Sequence, residues 1–78
     1  MSVETAVKEV LQKVLDVKPE QIDADSKLDE AFGVDSTEMV EINVAIKKRL
    51  GLDIANNELE KNHSLTDIVN ILKAKGAN

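Results

Sequence analysis

The chain has 78 residues, of which 42% are hydrophobic, and a formal net charge of −5 at pH 7. This length suits one small domain, which we expect to span residues 1–78 and to be monomeric. The negative charge argues against nucleic-acid phosphates as partners, and a single aromatic residue, Phe32, offers no platform for stacked bases. The absence of cysteine excludes disulfides, and a lone histidine argues against a transition-metal site.

The sequence shows neither a secretion signal nor a membrane span. Its N-terminus, Met1-Ser2-Val3-Glu4, lacks the basic and apolar regions of a signal peptide. No stretch approaches the ~20 consecutive apolar residues that a helix needs to cross a bilayer. We therefore expect a cytoplasmic protein.

The first helix is predicted from Val3 to about Asp16, because apolar residues recur there at three- and four-residue spacing. Ser2 suits its N-cap position. The helix should end near Asp16, because Pro19 disfavours helical geometry at Lys18.

Residues 17–34 predict a long first loop that is polar apart from isolated apolar anchors. A loop of this length in so small a domain is usually functional or structured by its own packing. Its acidic residues do not fit an EF-hand, since a loop that begins at Asp23 would have Leu28 and Val34 where Gly and Glu are needed. A solvated acidic loop is favoured over a weak divalent-cation site, so we predict no metal ligands.

The segment Gly33-Val34-Asp35-Ser36-Thr37 is the most informative stretch of the chain. Gly33 is free to adopt a positive φ and reverse the chain. Asp35 is then predicted to cap a helix, and Glu38 has the spacing of a capping box. Ser36 falls at the first helical position, where its hydroxyl should point outward beside free N–H groups that favour a phosphate.

The helix that starts at Ser36 is expected to end near Leu50, with Gly51 as its stop. At about 100° per residue, its core face spans roughly 80°, with Asn43 beside it and interrupting it. That face comprises Met39, Ile42, Ile46 and Leu50. A second stripe lies nearly opposite the core face, and we call it the docking stripe. It comprises Thr37, Val40 and Val44, and the charged residues Glu41, Lys47 and Lys48 lie at its edges. Periodicity alone leaves open whether the stripe docks a partner or packs against a later helix.

The remaining sequence predicts two further helical segments. Leu52 and Ile54 are expected to anchor a loop, and residues 56–61 to form a helical turn or two with Leu59 pointing inward. Ser64 should cap a last helix, with Asp67 completing an imperfect capping box. We therefore predict an all-α fold, a small helical bundle of three main helices plus one short helix and the long first loop.

These features resemble an acyl carrier protein over nearly the whole chain. The resemblance rests on the helix lengths, the long first loop, the motif Phe32-Gly33-Val34-Asp35-Ser36, and Leu52-Asp53-Ile54 before a short helix. In that family the serine carries 4′-phosphopantetheine through a phosphodiester, and the thiol of this arm carries acyl groups as thioesters. The resemblance implies that Ser36 is the attachment serine and that Asp35 helps a phosphopantetheinyl transferase to bind. The chain would then be a carrier of acyl or aminoacyl groups in fatty-acid-like or specialised biosynthesis.

The resemblance also implies which residues meet the partner enzymes. Acyl-transfer or synthase enzymes would contact the docking stripe and its charged edges, namely Thr37, Glu38, Val40, Glu41, Val44, Lys47 and Lys48. The sequence departs from the family pattern, with Phe32 and Thr37 where leucine is usual, and with the basic run Lys47-Lys48-Arg49 where the helix is usually acidic. These departures favour a specialised carrier with a dedicated partner, although the basic run also complements the helix dipole.

A catalytic role is not indicated. Ser36 has no obvious base, because the only histidine, His63, is expected to be a solvated residue just before the cap of the last helix. We therefore predict no catalytic residues and no enzyme activity. The alternative to a carrier is an unmodified helical interaction module that uses the docking stripe for a protein partner.

Overall fold

The computed structural model describes residues 2–55 and 57–77, which fold into four helices connected by turns. They are α1 (Val3–Leu15), α2 (Leu28–Phe32), α3 (Ser36–Leu50) and α4 (Leu65–Ala74), with one 3₁₀ turn at Pro19–Gln21. These described residues contain no strand, only one isolated bridge between Lys27 and Ser64. The predicted all-α bundle of three main helices and one short helix is confirmed. No helix in these ranges is long and apolar enough to span a bilayer.

The short helix is not where the sequence predicts it. Residues 57–61 form turns and no helix, so the prediction for 56–61 is wrong for its described part, while Asn56 lies outside the described residues. Side chains satisfy the backbone locally instead: Glu58 accepts a hydrogen bond from the Ala55 N–H, and the Glu60 N–H donates to Nδ1 of His63. Leu59 is buried, as predicted.

The short helix is instead α2, inside the long first loop. The Leu28 N–H donates to the His63 carbonyl at 3.0 Å and the Asp29 N–H to the Lys61 carbonyl at 2.9 Å. These bonds satisfy two amide groups that a helix start leaves unpaired, and they tie α2 to the segment before α4. Leu28 is itself buried, so the loop is structured by its own packing.

The main helices begin and end as their caps predict. Ser2 accepts a hydrogen bond from the Thr5 N–H at the start of α1, and Ser64 and Asp67 form a reciprocal capping box at the start of α4. The Ser64 N–H, which donates to Oδ2 of Asp67 at 3.0 Å, and the nearby Ser64 hydroxyl lower the pKa of the Asp67 carboxyl below its ordinary value. Gly51 ends α3 with φ 67°, in the left-handed region.

The core lies where α1 packs against α3 and α4. It is built almost wholly from aliphatic side chains, which are Val3, Val7, Val10, Leu11, Leu28, Val34, Met39, Ile42, Ile46, Ile54, Leu59, Leu65, Ile68, Val69 and Leu72. From α3 it takes Met39, Ile42 and Ile46, whereas Leu50 is only partly buried. The core face predicted for α3 is therefore confirmed except at its last turn.

The docking stripe faces solvent. Val40 is 56% exposed and Val44 is 44% exposed, and they are the two exposed large hydrophobic side chains among residues 2–55 and 57–77. Neither packs against a later helix. The rotation of α3 therefore favours a stripe that docks a partner over one that packs within the fold.

We expect Ile46→Asp to unfold much of the protein and Val44→Asp to have little effect on stability. Ile46 is 1% exposed, so the new carboxylate would be buried without a partner, at a cost of several kcal/mol. At position 44 the carboxylate would remain in water. The free energies of unfolding from urea titrations test this, and equal losses in the two variants would contradict the rotation of α3.

We expect Asp16→Gly to stabilise the protein. Asp16 ends α1 with φ 54°, which is strained for a residue with a Cβ and free for glycine. After the larger chain entropy of unfolded glycine is subtracted, a net gain of about 0.5 kcal/mol remains. Thermal unfolding measures it, with Asp16→Ala as the control, which should show no gain. A loss of stability in the glycine variant would count against the left-handed geometry.

Candidate functional site

The segment between α2 and α3 presents Ser36 to solvent by a short series of local constraints. Gly33 ends α2 with φ 65° and turns the chain back. Val34 is 2% exposed and anchors the turn to the core. Asp35 is extended, with φ −99°, and leads directly into the first turn of α3. The buried Val34 and the left-handed Gly33 together fix the position of the exposed Ser36.

Asp35 and Glu38 form the predicted capping box. The Glu38 N–H donates to Oδ1 of Asp35 at 2.8 Å, and the Asp35 N–H donates to Oε1 of Glu38 at 3.3 Å. The cap is therefore provided by Asp35, and the hydroxyl of Ser36 is not needed for it. Among residues 2–55 and 57–77, nothing forms a hydrogen bond with that hydroxyl.

The start of α3 is suited to an anion. The Met39 N–H bonds the Asp35 carbonyl and the Glu38 N–H bonds the Asp35 side chain, but the N–H groups of Ser36 and Thr37 have no partner in the described part of the chain. These two donors and the positive end of the helix dipole favour negative charge beside the Ser36 hydroxyl. A phosphodiester on Ser36 would fit this environment.

The sequence-predicted partner residues share the solvent-facing side of α3. Thr37, Glu41 and Lys48 are exposed along with the two valines of the docking stripe, whereas Glu38 and Lys47 are partly buried. The helix thus carries an apolar stripe with carboxylates near Ser36 and ammonium groups two to three turns further on.

The basic run at the end of α3 is not uniform. Arg49 forms an ion pair with Glu9 of α1, a contact that joins the two helices and that spacing within α3 could not reveal. Lys47 and Lys48 form no salt bridge among the described residues. The part of the basic run that can meet a partner is therefore these two lysines.

A groove lies beside Ser36, between α3 and the segment that precedes α4. It has a volume of about 260 Å³ and is lined by Ser36, Met39, Val40, Asn43, Leu59, Glu60 and Lys61. Sequence reasoning missed this groove because its second wall comes from residues 59–61, which are distant in the chain and carry no motif. The only advance signal was the prediction that Leu59 points inward.

The second wall of the groove is held from both sides. Lys61 is bonded through its carbonyl to the Asp29 N–H of α2. Glu58 forms an ion pair with Lys75 at 2.8 Å, beyond the end of α4. This bond from Lys75, helped by the Ala55 N–H, lowers the pKa of the Glu58 carboxyl below its ordinary value. The wall therefore has a defined position relative to α3.

His63 differs from the prediction of a solvated residue. It is partly buried, and its Nδ1 accepts a hydrogen bond from the Glu60 N–H at 3.0 Å, so it stabilises the turn before α4. The acidic loop also has an internal role, since the Asp23 carboxylate accepts bonds from the Asp25 N–H and the Ser26 hydroxyl. Across residues 2–55 and 57–77, no group of three or more His, Cys, Asp or Glu side chains could hold a metal ion.

Comparison with known proteins agrees with this geometry. Residues 5–72 match the family model described as a phosphopantetheine attachment site. The chain is 34% identical to an acyl carrier protein of Campylobacter hominis over 73 residues, covering 94% of this chain and 92% of that protein. It is 35% identical to an acyl carrier protein of Campylobacter fetus, covering 92% and 94%, and 32% identical to that of Wolinella succinogenes, covering 94% and 96%. The chain therefore belongs to the family of proteins with a phosphopantetheine attachment site.

Proposed function

We propose that Ser36 carries a 4′-phosphopantetheine arm through a phosphodiester, and that the protein carries acyl or aminoacyl groups for other enzymes. The observation that carries this proposal is the exposed, unbonded Ser36 hydroxyl at the first position of α3, in a chain of this family. When attached, the arm supplies the thiol on which cargo is held as a thioester. The chain itself has no cysteine, which is consistent with a thiol that comes from the prosthetic group.

The residues of the chain position the attachment site, and partner enzymes carry out the reactions. The free N–H groups of Ser36 and Thr37 would bind the phosphate, and the capping box holds the start of α3 in place while partners exchange. Asp35 uses Oδ1 for the cap, so its second carboxylate oxygen is available to the transferase that modifies Ser36. The protein is a carrier and not an enzyme.

Its partners belong to two classes. Membership of the family implies a phosphopantetheinyl transferase and enzymes that handle acyl groups. The exposed valines of the docking stripe, with carboxylates near Ser36, suit such a sequence of partners that dock and leave. The alternative of an unmodified interaction module has no support in the family membership, although it would use the same stripe.

The two free lysines point to a dedicated partner. A cationic patch near the end of α3 would repel the basic surface that an enzyme offers to an ordinary acidic carrier, and would attract an acidic one. Such complementarity sets specificity and on-rate more than affinity. We therefore propose a specialised carrier served by an enzyme with an acidic patch facing Lys47 and Lys48.

We expect Ser36→Ala to abolish modification. Incubated with coenzyme A and a broad-specificity transferase, the wild-type protein should gain the mass of one phosphopantetheinyl group, and the variant none. Ser2→Ala is the matched control, because Ser2 is also an exposed serine at a helix start. Circular dichroism should show intact helix in Ser36→Ala, because Asp35 caps α3, whereas Ser2→Ala removes the cap of α1 and should lose a little helix there. A modified Ser36→Ala protein, or a wild type that no such transferase modifies, would refute the proposal.

We expect the double change Lys47→Glu with Lys48→Glu to shift the preference of the protein from one partner enzyme to another. Activity with an acyl-transfer enzyme of general fatty-acid synthesis should rise, and activity with the product of a neighbouring gene should fall. Both effects should be larger at low salt, where surface charges are least screened. The control is Lys18→Glu with Lys73→Glu, exposed lysines outside α3 that give the same net charge. If the two double variants behave alike, net charge and not the patch is responsible.

A further inference from the structure

A second groove lies between α1 and α3, and we call it the α1–α3 groove. It has a volume of about 290 Å³ and is lined by Glu9, Val10, Lys13, Val14, Ala45, Lys48 and Arg49. It shares no lining residue with the groove beside Ser36. At a rise of about 1.5 Å per residue, Ala45 lies about 14 Å along α3 from Ser36. A ligand in the α1–α3 groove therefore leaves the attachment site unobstructed.

The α1–α3 groove has an apolar floor. Val10 is 7% exposed, and Val14 and Ala45 are partly buried and pack against the core. The side chain of Ala45 is a single methyl group, so α3 leaves space beside the two valines of α1 that a larger side chain at position 45 would fill. Apolar side chains of a partner can be buried in this space without rearrangement of the core.

The rim of the groove is basic in an acidic protein. Three of the four charged residues that line the groove are basic, although the chain has 10 basic and 15 acidic residues. Arg49 forms an ion pair with Glu9. The exposed Lys13 of α1 and the exposed Lys48 of α3 form no salt bridge among the described residues. The excess positive charge therefore comes from one lysine on each helix.

This combination fits an acidic amphipathic helix. Such a helix would place apolar side chains at three- and four-residue spacing on the floor, and carboxylates beside Lys13 and Lys48. The net charge of −5 opposes contact with an anionic bilayer instead. Each lysine also complements the dipole of its own helix, because it lies in the last turn. That role does not account for the apolar space between the two helices.

We propose that the α1–α3 groove binds an acidic amphipathic helix of a partner enzyme, with Lys13 and Lys48 on its two sides and Ala45 providing the space for its apolar side chains. Lys48 also lies at the edge of the docking stripe, so one partner can contact both surfaces. The inference rests on the proposed function for the identity of this partner. It adds Lys13 of α1, which is no part of the basic run of α3.

Binding of a peptide to the unmodified protein tests the proposal. The probe is a helical, alanine-based peptide of about 18 residues, with leucines four residues apart on one face and glutamates beside them. It should shift the amide resonances of Lys13, Ala45 and Lys48, and its affinity should fall as salt is added. A control peptide with lysine in place of glutamate should bind about tenfold more weakly or worse. An acidic peptide that does not bind, or that shifts only Val40 and Val44, overturns the proposal.

Two pairs of variants locate the contact. Lys13→Glu should weaken binding of the acidic peptide about three- to tenfold, whereas Lys18→Glu, at an exposed lysine outside the groove, should leave it nearly unchanged. Ala45→Leu should weaken binding about tenfold or more because leucine fills the groove, whereas Ala74→Leu, at an exposed position of α4, should not. Circular dichroism confirms that each variant is folded. Equal effects of variant and control in the lysine pair overturn the proposal, whether or not Ala45→Leu folds.

Other occupants of the groove are outcomes of the same series. Self-association in sedimentation equilibrium that Lys13→Glu abolishes would assign the groove to a second copy of the chain. Binding to phosphatidylglycerol vesicles that Lys13→Glu abolishes would assign it to a membrane surface. Either result overturns the proposal.

Peptide binding and modification of Ser36 are independent results, because the protein lacks the arm in these measurements. A protein that is modified at Ser36 but does not bind the acidic peptide refutes the role of the groove alone. A protein that binds the peptide in the groove but is never modified refutes the carrier function alone.

Discussion

The rotation of α3 about its own axis is the constraint on which the functional surface depends. Burial of Ile42 and Ile46 against α1 fixes this rotation, because every other side chain follows at about 100° per residue. With these two isoleucines inside, Val40 and Val44 must face water and Ser36 must emerge at the edge of the groove. The hydrophobic effect that stabilises the fold thus also determines which side chains of α3 face solvent, and the docking stripe needs no structural element of its own.

The start of α3 is fixed separately from its rotation. Asp35 and Glu38 satisfy each other's backbone, and Val34 anchors the preceding turn in the core. Because these residues provide the cap and the anchor, the Ser36 hydroxyl has no structural role. The attachment proposed at Ser36 would therefore disturb neither the cap of α3 nor the core.

The sequence predicts most of this site because its determinants are local. The caps, the stop at Gly51 and the buried stripe of α3 all arise within a few residues, and each is found as predicted apart from the partly buried Leu50. One failure comes from local side-chain bonds and the other from contacts between distant segments. Residues 57–61 form turns because Glu58 and His63 bond nearby backbone, and the short helix forms at α2, whose first amides find the carbonyls of Lys61 and His63. Hydrophobic periodicity in the sequence indicates neither set of hydrogen bonds.

The same distant pairing gives the groove beside Ser36 its second wall. The wall at residues 59–61 is tied to α2 through the Asp29 N–H and to the end of α4 through Glu58 and Lys75, so its distance from α3 is not set by α3 itself. Asn43 lines the groove and interrupts the aliphatic core face of α3. A fully aliphatic face would close the core more favourably, since a buried amide without a partner is costly. The stability of the fold therefore does not explain the amide at this position.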